Sequence, residues 1–178
     1  VPADRFRSAG ASGSCGEGNR GAGRAAVSRM YGWLVRVSLA LVAIDQASKL
    51  AAVGLIRPYQ SVGTPLGKVL NFTLVYNEGA AYGILHGKVW FIMAVTVAFV
   101  AAVAAFWLRV WEMGPATRVA AAMMVAGSVG NFIDRARLGR VIDFIEMPMI
   151  PMFQVFNLAD AFLVLGTAVL IYSMLRAS

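Results

Sequence analysis

The stretch VWFIMAVTVAFVAAVAAFWL, residues 89–108, contains no charged side chain. At about 1.5 Å of rise per residue, a helix of about 20 residues crosses the hydrocarbon core of a bilayer. The rest of the chain has a similar character, because 59% of its residues are hydrophobic and only 14% are charged. Soluble domains carry about 25% charged residues. The composition therefore indicates one compact membrane domain.

Three further apolar segments have the length of a membrane span, although each carries charges at or near its ends. They cover residues 33–55, 117–137 and 155–175. Together with residues 89–108 they predict a mainly α-helical membrane protein with four transmembrane helices.

The distribution of Lys and Arg predicts the orientation of the chain, because cytoplasmic segments near helix ends are usually enriched in both. Five arginines precede the first span, and Arg109, Arg118 and Arg176 fall on the same side of the predicted bundle. We therefore expect both termini to be cytoplasmic. The presumed outer segments also carry basic residues, namely Arg57, Lys68, Lys88, Arg135, Arg137 and Arg140. Acidic residues accompany them in the same segments.

Residues 1–29 are rich in Gly, Ala, Ser and Arg, show no apolar period and hold the only cysteine, Cys15. This composition predicts a disordered basic extension without the central apolar block of a cleavable signal peptide. Met30 is a candidate native start, which makes residues 30–178 the membrane domain. The extension's five arginines and two acids account for three of the seven net positive charges. The basic composition therefore gives little reason to expect nucleic acid as a partner.

The segment between the first two spans, residues 56–87, is expected to lie outside the membrane. Its centre, KVLNFTLVYNEG, has β-branched and aromatic residues in partial alternation and closes on an Asn-Glu-Gly turn, which favours a strand. Residues 140–145, RVIDFI, have the same character. We predict that the two segments form a small sheet on the outer face of the bundle; the alternative is a pair of interfacial loops.

Asp45 and Lys49 are four residues apart in the first span, so they share one face of the helix and can pair. A structural ion pair is favoured over direct chemistry here. Ser48 beside Lys49 suggests a serine/lysine protease, but adjacent helical positions point apart, so we expect no local dyad.

The third span ends in GSVGNFIDRARLG, where Ala126 and Gly130 have the spacing that lets a neighbouring helix approach closely. Asn131 and Asp134 lie one turn apart, and Arg135 follows. Asp134 and Arg135 could form an outer-surface ion cluster, while Asn131 could hold a partner helix or a substrate backbone. We favour a supporting role for this group.

Asp143 and Asp160 differ from the other acids because neither has an obvious local cation. Asn157, three residues before Asp160, could cap the fourth helix or orient the carboxylate. Each aspartate alone has an ordinary explanation, since an acid near a helix N-terminus is favoured by the macrodipole. If folding brings both within hydrogen-bonding reach, repulsion and burial leave one proton shared between them. Such a pair can act as general base and general acid.

The chain has too few histidines and cysteines for the other common kinds of catalytic site. The chain holds one histidine and one cysteine, which excludes the usual zinc sites and Ser/His or Cys/His catalysis. No HExxH, GxxxxGK[ST] or GxGD motif is present. His86 is interpreted as an interfacial loop residue rather than a ligand. We therefore expect neither a metal nor a cofactor.

Five ordered blocks together resemble one family, the bacterial lipoprotein signal peptidases, also called signal peptidase II. The blocks are DQASK at 45–49, YNEGAAYG at 76–83, GNFIDR at 130–135, VIDF at 141–144 and FNLAD at 156–160. The resemblance covers residues 30–176, and the order of the blocks fits the four predicted helices.

This resemblance implies a multi-pass aspartyl endopeptidase of the bacterial inner membrane, with an outward-facing site, an outer β-sheet and an interfacial helix or loop between helices 1 and 2. Such enzymes cut diacylglyceryl-modified prolipoproteins on the N-terminal side of the lipidated cysteine, without a cofactor. The expected partners are therefore those substrates and membrane lipid, and the expected state is a monomer. The implied catalytic pair is Asp143 and Asp160. The implied supporting or substrate-binding residues are Asp45, Lys49, Asn77, Gly79, Asn131, Asp134, Arg135 and Asn157.

The segment after the NEGAA turn supplies candidates to close over the substrate: Tyr82, Gly83 and Ile84. Tyr82 stands where the family more often has Phe, which keeps an apolar ring there. Two other classes of function stay open from the residues. A small proton- or cation-translocating subunit would use Asp45, Asp134 and Asp160, but the chain shows no internal repeat and its acids gather at one end. A non-catalytic scaffold would tolerate Asn at both residues of the implied catalytic pair.

Overall fold

The computed structural model describes residues 15–79, 87–150 and 155–177. Its four helices are α1 Cys15–Leu55, α2 Val89–Glu112, α3 Pro115–Leu138 and α4 Leu158–Ala177. Each contains a segment long and apolar enough to cross a membrane. The four predicted spans are therefore confirmed.

Helix α1 begins well before the predicted first span. The helix starts at Cys15 and so covers part of the segment for which the sequence predicts disorder. Residues 15–29 contain four Gly, which disfavour a helix, but they also contain Ala and Arg and no Pro, so a continuous helix is permitted. Residues 1–14 lie outside the described residues, and the division of the chain after residue 29 stays a prediction.

Two sharp turns place α3 between α2 and the sheet. Gly114 has φ 109° and is followed by Pro115 in the first turn of α3, where a missing N–H has no intrahelical partner to lose. At the other end Gly139 has φ 69°, and its N–H donates to the carbonyl of Arg135. This left-handed cap ends α3 and turns the chain directly into the strand that carries Asp143.

Three short strands form an antiparallel sheet in the order β1 Ser61–Gly63, β2 Asn71–Asn77 and β3 Val141–Glu146. The predicted pairing of the two longer strands is confirmed, whereas β1 was not predicted. Among the described residues, the connection from α1 to α2 otherwise consists of turns, including one helical turn at residues 66–70. It is therefore a loop rather than an interfacial helix as far as it is described.

Register decides which side chains of the sheet meet. Val75 lies opposite Asp143, so Asn77, two residues on, shares a face with that aspartate. The opposite face carries Leu74, Ile142 and Phe144, which pack with Ala52 of α1 in a buried apolar cluster. The sheet thereby rests on one end of the bundle, which we call the sheet end.

Small residues bring α3 and α4 into close contact. A Cβ on Gly127 would lie 2.3 Å from the Ala159 carbonyl oxygen, and one on Gly166 would lie 2.8 Å from the Ala120 carbonyl oxygen. A Cβ on Gly130 would lie 2.5 Å from Oδ2 of Asp45. Glycine at these positions therefore allows α4 and a carboxylate of α1 to lie against α3.

Candidate active site

Asp143 lies on β3 with its carboxylate buried. Its Oδ1 accepts a hydrogen bond from Nδ2 of Asn157 at 2.6 Å, and its Oδ2 accepts one from Nδ2 of Asn77 at 3.1 Å. Asn77 reaches it across the sheet, as the register requires. Two amide groups from different elements therefore fix the orientation of this carboxylate.

Asp160 lies in the first turn of α4. Its Oδ1 accepts a hydrogen bond from Nδ2 of Asn131 at 2.8 Å, and its Oδ2 accepts one from the Asn157 N–H at 3.3 Å. The Oδ1 of Asn157 accepts the Asp160 N–H in return, at 3.0 Å. This reciprocal pair is a capping box, so the prediction that Asn157 caps the fourth helix is confirmed.

Asn157 joins the two aspartates. It is fully buried, and its amide lies within hydrogen-bonding distance of the Ile142 carbonyl and of Oδ1 of Asn131 as well as of Asp143. Its backbone N–H donates to the Asp160 carboxylate, and its side-chain Oδ1 accepts the Asp160 N–H. One residue therefore contacts both carboxylates, with its side-chain amide on Asp143 and its backbone N–H on Asp160. We call the two carboxylates the aspartate pair.

The charge state of Asp143 reflects this environment. The pKa of its carboxyl is raised from 3.8 to about 7, chiefly by burial and also by the nearby charge of Asp160. The hydrogen bonds from Asn77 and Asn157 and the charge of Lys49 oppose that rise. A carboxyl with a pKa near 7 can exchange a proton at neutral pH.

A second group of buried charges lies beside the aspartate pair, and we call it the ion cluster. Nζ of Lys49 lies 3.0 Å from Asp45 and 2.8 Å from Asp134, and it donates to Oδ1 of Asn131 at 3.0 Å. The predicted pairing of Asp45 with Lys49 is confirmed. The alternative of an outer-surface cluster of Asp134 with Arg135 is wrong, because Asp134 is buried and pairs with a cation from another helix.

The ion cluster holds the two elements that carry the aspartate pair. Oδ1 of Asp45 accepts the Ala159 N–H at 2.9 Å, at the N-terminus of α4. Oδ2 of Asp134 accepts the Ile142 N–H at 3.2 Å, one residue before the aspartate of β3. A carboxylate near a helix N-terminus is also favoured by the macrodipole. The cluster therefore acts as a support for the aspartate pair.

Gln46 was not singled out from the sequence, yet it bridges the ion cluster. Its Nε2 lies 3.1 Å from Oδ2 of Asp45, 3.1 Å from Oδ1 of Asp134 and 3.2 Å from the Gly130 carbonyl oxygen. A glutamine next to an intramembrane aspartate is the signal that could have identified it, because both need partners at that depth.

Arg135 and Gly79 connect the aspartate pair to the loop after β2. Nη2 of Arg135 donates to the Gly79 carbonyl at 3.0 Å, and the Gly79 N–H donates to Oδ1 of Asn77 at 3.0 Å. Asn77 then donates to Asp143. Every supporting residue that the sequence predicts is thus linked to the aspartate pair through hydrogen bonds or ion pairs.

The candidate Ser48 is not brought to the site. The Ser48 hydroxyl donates to the Asp45 carbonyl within its own helix, which agrees with the absence of a local dyad with Lys49. Tyr82, Gly83, Ile84 and His86 lie outside the described residues. Within the parts of the chain that are described, no group of three or more His, Cys, Asp or Glu side chains could hold a metal ion.

Comparison with known proteins gives a consistent result. The family model described as signal peptidase (SPase) II matches residues 37–176. A lipoprotein signal peptidase of Brevibacillus brevis is 32% identical over 139 residues, which cover 78% of this chain and 92% of the relative. A lipoprotein signal peptidase of Lactiplantibacillus plantarum is 36% identical over 147 residues, covering 81% and 95%.

Solved structures agree with the sequence comparisons. One bacterial membrane enzyme, determined by the in meso method, has a TM-score of 0.74 and 31% identity, covering 82% of this chain and 88% of its own. A second has a TM-score of 0.72 and 31% identity, covering 83% and 95%.

Proposed function

The chain belongs to the signal peptidase II family, and we propose that Asp143 and Asp160 are the catalytic pair of an aspartyl endopeptidase. It is a multi-pass inner-membrane peptidase that removes signal peptides from prolipoproteins. One observation carries the assignment of the pair. Among the described residues, Asp143 is buried and Asp160 is partly buried, and three asparagines hold their carboxylates, but neither carboxylate is in an ion pair.

The mechanism follows from one proton shared between two carboxyl groups. The ionised carboxylate removes a proton from a water molecule, and the water oxygen attacks the scissile carbonyl carbon. The C–N bond of the resulting tetrahedral intermediate then breaks, and the protonated carboxyl gives its proton to the departing amine. The pair ends with one proton, as it began. By family likeness, the bond lies on the N-terminal side of a diacylglyceryl-modified cysteine.

The supporting residues hold this geometry before the substrate arrives. Asn77 and Asn157 orient Asp143, and Asn131 orients Asp160. A preorganised pair needs little rearrangement during the reaction, which is the usual source of a large rate enhancement. All of these residues come from one chain, which supports a monomer as the active form.

Topology is part of the same proposal, with both termini cytoplasmic and the sheet end facing outward. Support comes from the opposite end of the bundle, where cations lie on aromatic rings. Arg118 lies 4.1 Å from the ring centroid of Trp111, Arg109 lies 5.5 Å from that of Phe106, and Arg176 lies over Tyr172. Arginine near helix ends is usually enriched on the cytoplasmic side, and aromatic rings are enriched at both membrane interfaces.

Lipid recognition has a candidate surface beside the sheet. An apolar groove of about 410 Å³ lies between the last turns of α1 and the sheet. Its walls include Ala52, Leu55, Phe72 and Phe144, the last of which follows Asp143 in β3. Burial contributes about 0.8 kcal/mol for each CH₂ group of an acyl chain. The groove therefore suits the diacylglyceryl part of a substrate.

The test is cleavage of a diacylglyceryl-modified prolipoprotein by the purified protein in detergent, followed by gel shift. Asp143→Asn and Asp160→Asn should each lower kcat by at least about 100-fold, since each removes one partner of the proton transfers. Glu112→Gln, at the opposite end of the bundle, is the matched control and should retain parental activity. Cleavage by both folded variants at the parental rate would exclude the aspartate mechanism, whereas a folded parent that does not cleave the substrate would favour a scaffold.

The translocating subunit finds less support in the geometry. Two of its three acids, Asp45 and Asp134, share the cation of Lys49 and accept backbone N–H groups. Carboxylates that are paired in this way are poor relay sites for a proton, because accepting the proton would remove a counter-charge of the buried Lys49.

A further inference from the structure

A second cavity lies at the sheet end, beside the ion cluster and apart from the apolar groove. Its volume is about 200 Å³, and it opens between the last turns of α1, the end of α3 and the sheet. Arg137 and Arg140 line it together with Tyr76. We call it the arginine notch. The proposed mechanism makes no use of either arginine.

The notch carries an excess of positive charge. Four charged side chains line it: Lys49, Asp134, Arg137 and Arg140. Lys49 pairs with Asp134 at 2.8 Å and also with Asp45 behind it at 3.0 Å, so the ion cluster adds no positive charge. In the described parts of the chain neither arginine has an acidic partner within ion-pair distance. Two positive charges are therefore available to an anionic ligand.

One wall of the notch is apolar and faces outward from the bundle. Leu50 and Val53 of α1 are 63% and 41% exposed, and Leu138 at the end of α3 is 46% exposed. Both helices are membrane spans, so these side chains meet lipid rather than protein. A ligand that fits the notch needs an anionic group for the arginines and an apolar part for this wall.

The geometry of Arg140 favours a phosphate oxygen as the anionic group. Its guanidinium carbon lies 4.0 Å from the centroid of the Tyr76 ring, which holds one face of the group and leaves the N–H donors at its edge free. Arginine binds phosphate with two parallel N–H donors. Packed on the ring, the guanidinium group of Arg140 directs the N–H donors at its edge toward the notch.

We propose that the arginine notch binds the headgroup of an anionic phospholipid, with the phosphate on Arg137 and Arg140 and an acyl chain along Leu50 and Val53. Basic pockets between transmembrane helices bind such headgroups in other membrane proteins. The proposal also gives a role to two of the basic residues at the sheet end, Arg137 and Arg140, which the peptidase mechanism does not use. Basic residues crowd the segments at the sheet end, although they are usually enriched on the cytoplasmic side.

Native mass spectrometry of the purified full chain in detergent tests the proposal. Dioleoyl phosphatidylglycerol and dioleoyl phosphatidylcholine are titrated separately, and glycerol phosphate serves as a headgroup without chains. We expect one phosphatidylglycerol to bind at saturation, with clearly weaker binding of the zwitterionic lipid and of glycerol phosphate. The double variant Arg137→Gln/Arg140→Gln should bind phosphatidylglycerol roughly 30-fold more weakly, since each cation near an anionic lipid contributes about fivefold.

Arg57→Gln is the matched control, because Arg57 is exposed near the end of α1 but does not line the notch. It should bind phosphatidylglycerol as the parent does. Cleavage of prolipoprotein in detergent by the double variant shows that it is folded, and this readout is independent of lipid binding. Equal binding of both lipids, saturation by glycerol phosphate alone, or unchanged affinity of the double variant would each overturn the proposal.

Discussion

The aspartate pair and the ion cluster are two neighbouring groups of buried or partly buried carboxylates, joined by Asn131, which accepts from Lys49 and donates to Asp160, yet the two groups differ in charge balance. In the ion cluster, Lys49 lies between two carboxylates within 3.0 Å of each. In the aspartate pair the partners are amides, which orient a carboxylate without neutralising it. A buried acid with a cation stays ionised and serves as structure, whereas one without a cation holds a proton that chemistry can use.

Removing the cation of Lys49 is the strongest test of this difference in charge balance. Lys49→Met should lower the free energy of unfolding by about 3–5 kcal/mol, because Asp45 and Asp134 then lie buried without a counter-charge. Unfolding in mixed micelles with increasing SDS provides the measurement. Lys68→Met, at an exposed position near the sheet, is the control and should change stability by less than about 0.5 kcal/mol. A loss below about 1 kcal/mol in the first variant would show that the cluster does not depend on its charge.

Removing a charge from the aspartate pair should change the free energy of unfolding in the opposite direction, so that the protein becomes more stable. The pKa of Asp143 rises from 3.8 in the unfolded chain to about 7 in the folded one. Between these values the folded protein binds more protons, so its stability falls as pH rises from about 4 to 7, and the full cost is present above pH 7. Asp143→Asn should therefore raise the free energy of unfolding by about 2–4 kcal/mol at pH 8 and leave it nearly unchanged at pH 4.

Glu146→Gln is a suitable control for that pH dependence, because Glu146 lies on the same strand and accepts hydrogen bonds from Ser61 and Thr73. It should keep the parental slope of stability against pH between 4 and 7. If Asp143→Asn also keeps that slope, the aspartate of β3 ionises as an ordinary surface acid does, and the contrast with the ion cluster fails.

Local patterns were enough to predict the helices, the longer strands and the aspartate pair. Uncharged runs mark spans because the bilayer demands them, and Asp143 and Asp160 stood out because neither had a cation nearby in sequence. The contact of Lys49 with Asp134 could not be predicted in this way. Those residues are far apart in the chain and meet only because small residues allow α1, α3 and α4 to pack closely.

Gly130 therefore offers a test of how the packing supports the ion cluster. A methyl group at this position would lie 2.5 Å from Oδ2 of Asp45 and 3.3 Å from the Ala159 side chain. Gly130→Ala should lower the free energy of unfolding by about 1–3 kcal/mol, as overpacking in a rigid interior does. Gly54→Ala, on α1, is the control, because a methyl group there meets nothing within 4 Å. It should be neutral or slightly stabilising, and an equal loss in both variants would contradict the packing argument.

Gln46 separates hydrogen bonding from charge within the ion cluster. Gln46→Met keeps the length of the side chain and the cation of Lys49, but removes the amide that bridges Asp45, Asp134 and the Gly130 carbonyl. Because both carboxylates keep their ion pairs, the free energy of unfolding should fall by only about 1–2 kcal/mol, without a change in its pH dependence. The measurement is the same SDS titration at pH 6 and pH 8. A loss as large as that of Lys49→Met would mean that the amide network, rather than the buried cation, holds the two acids in place.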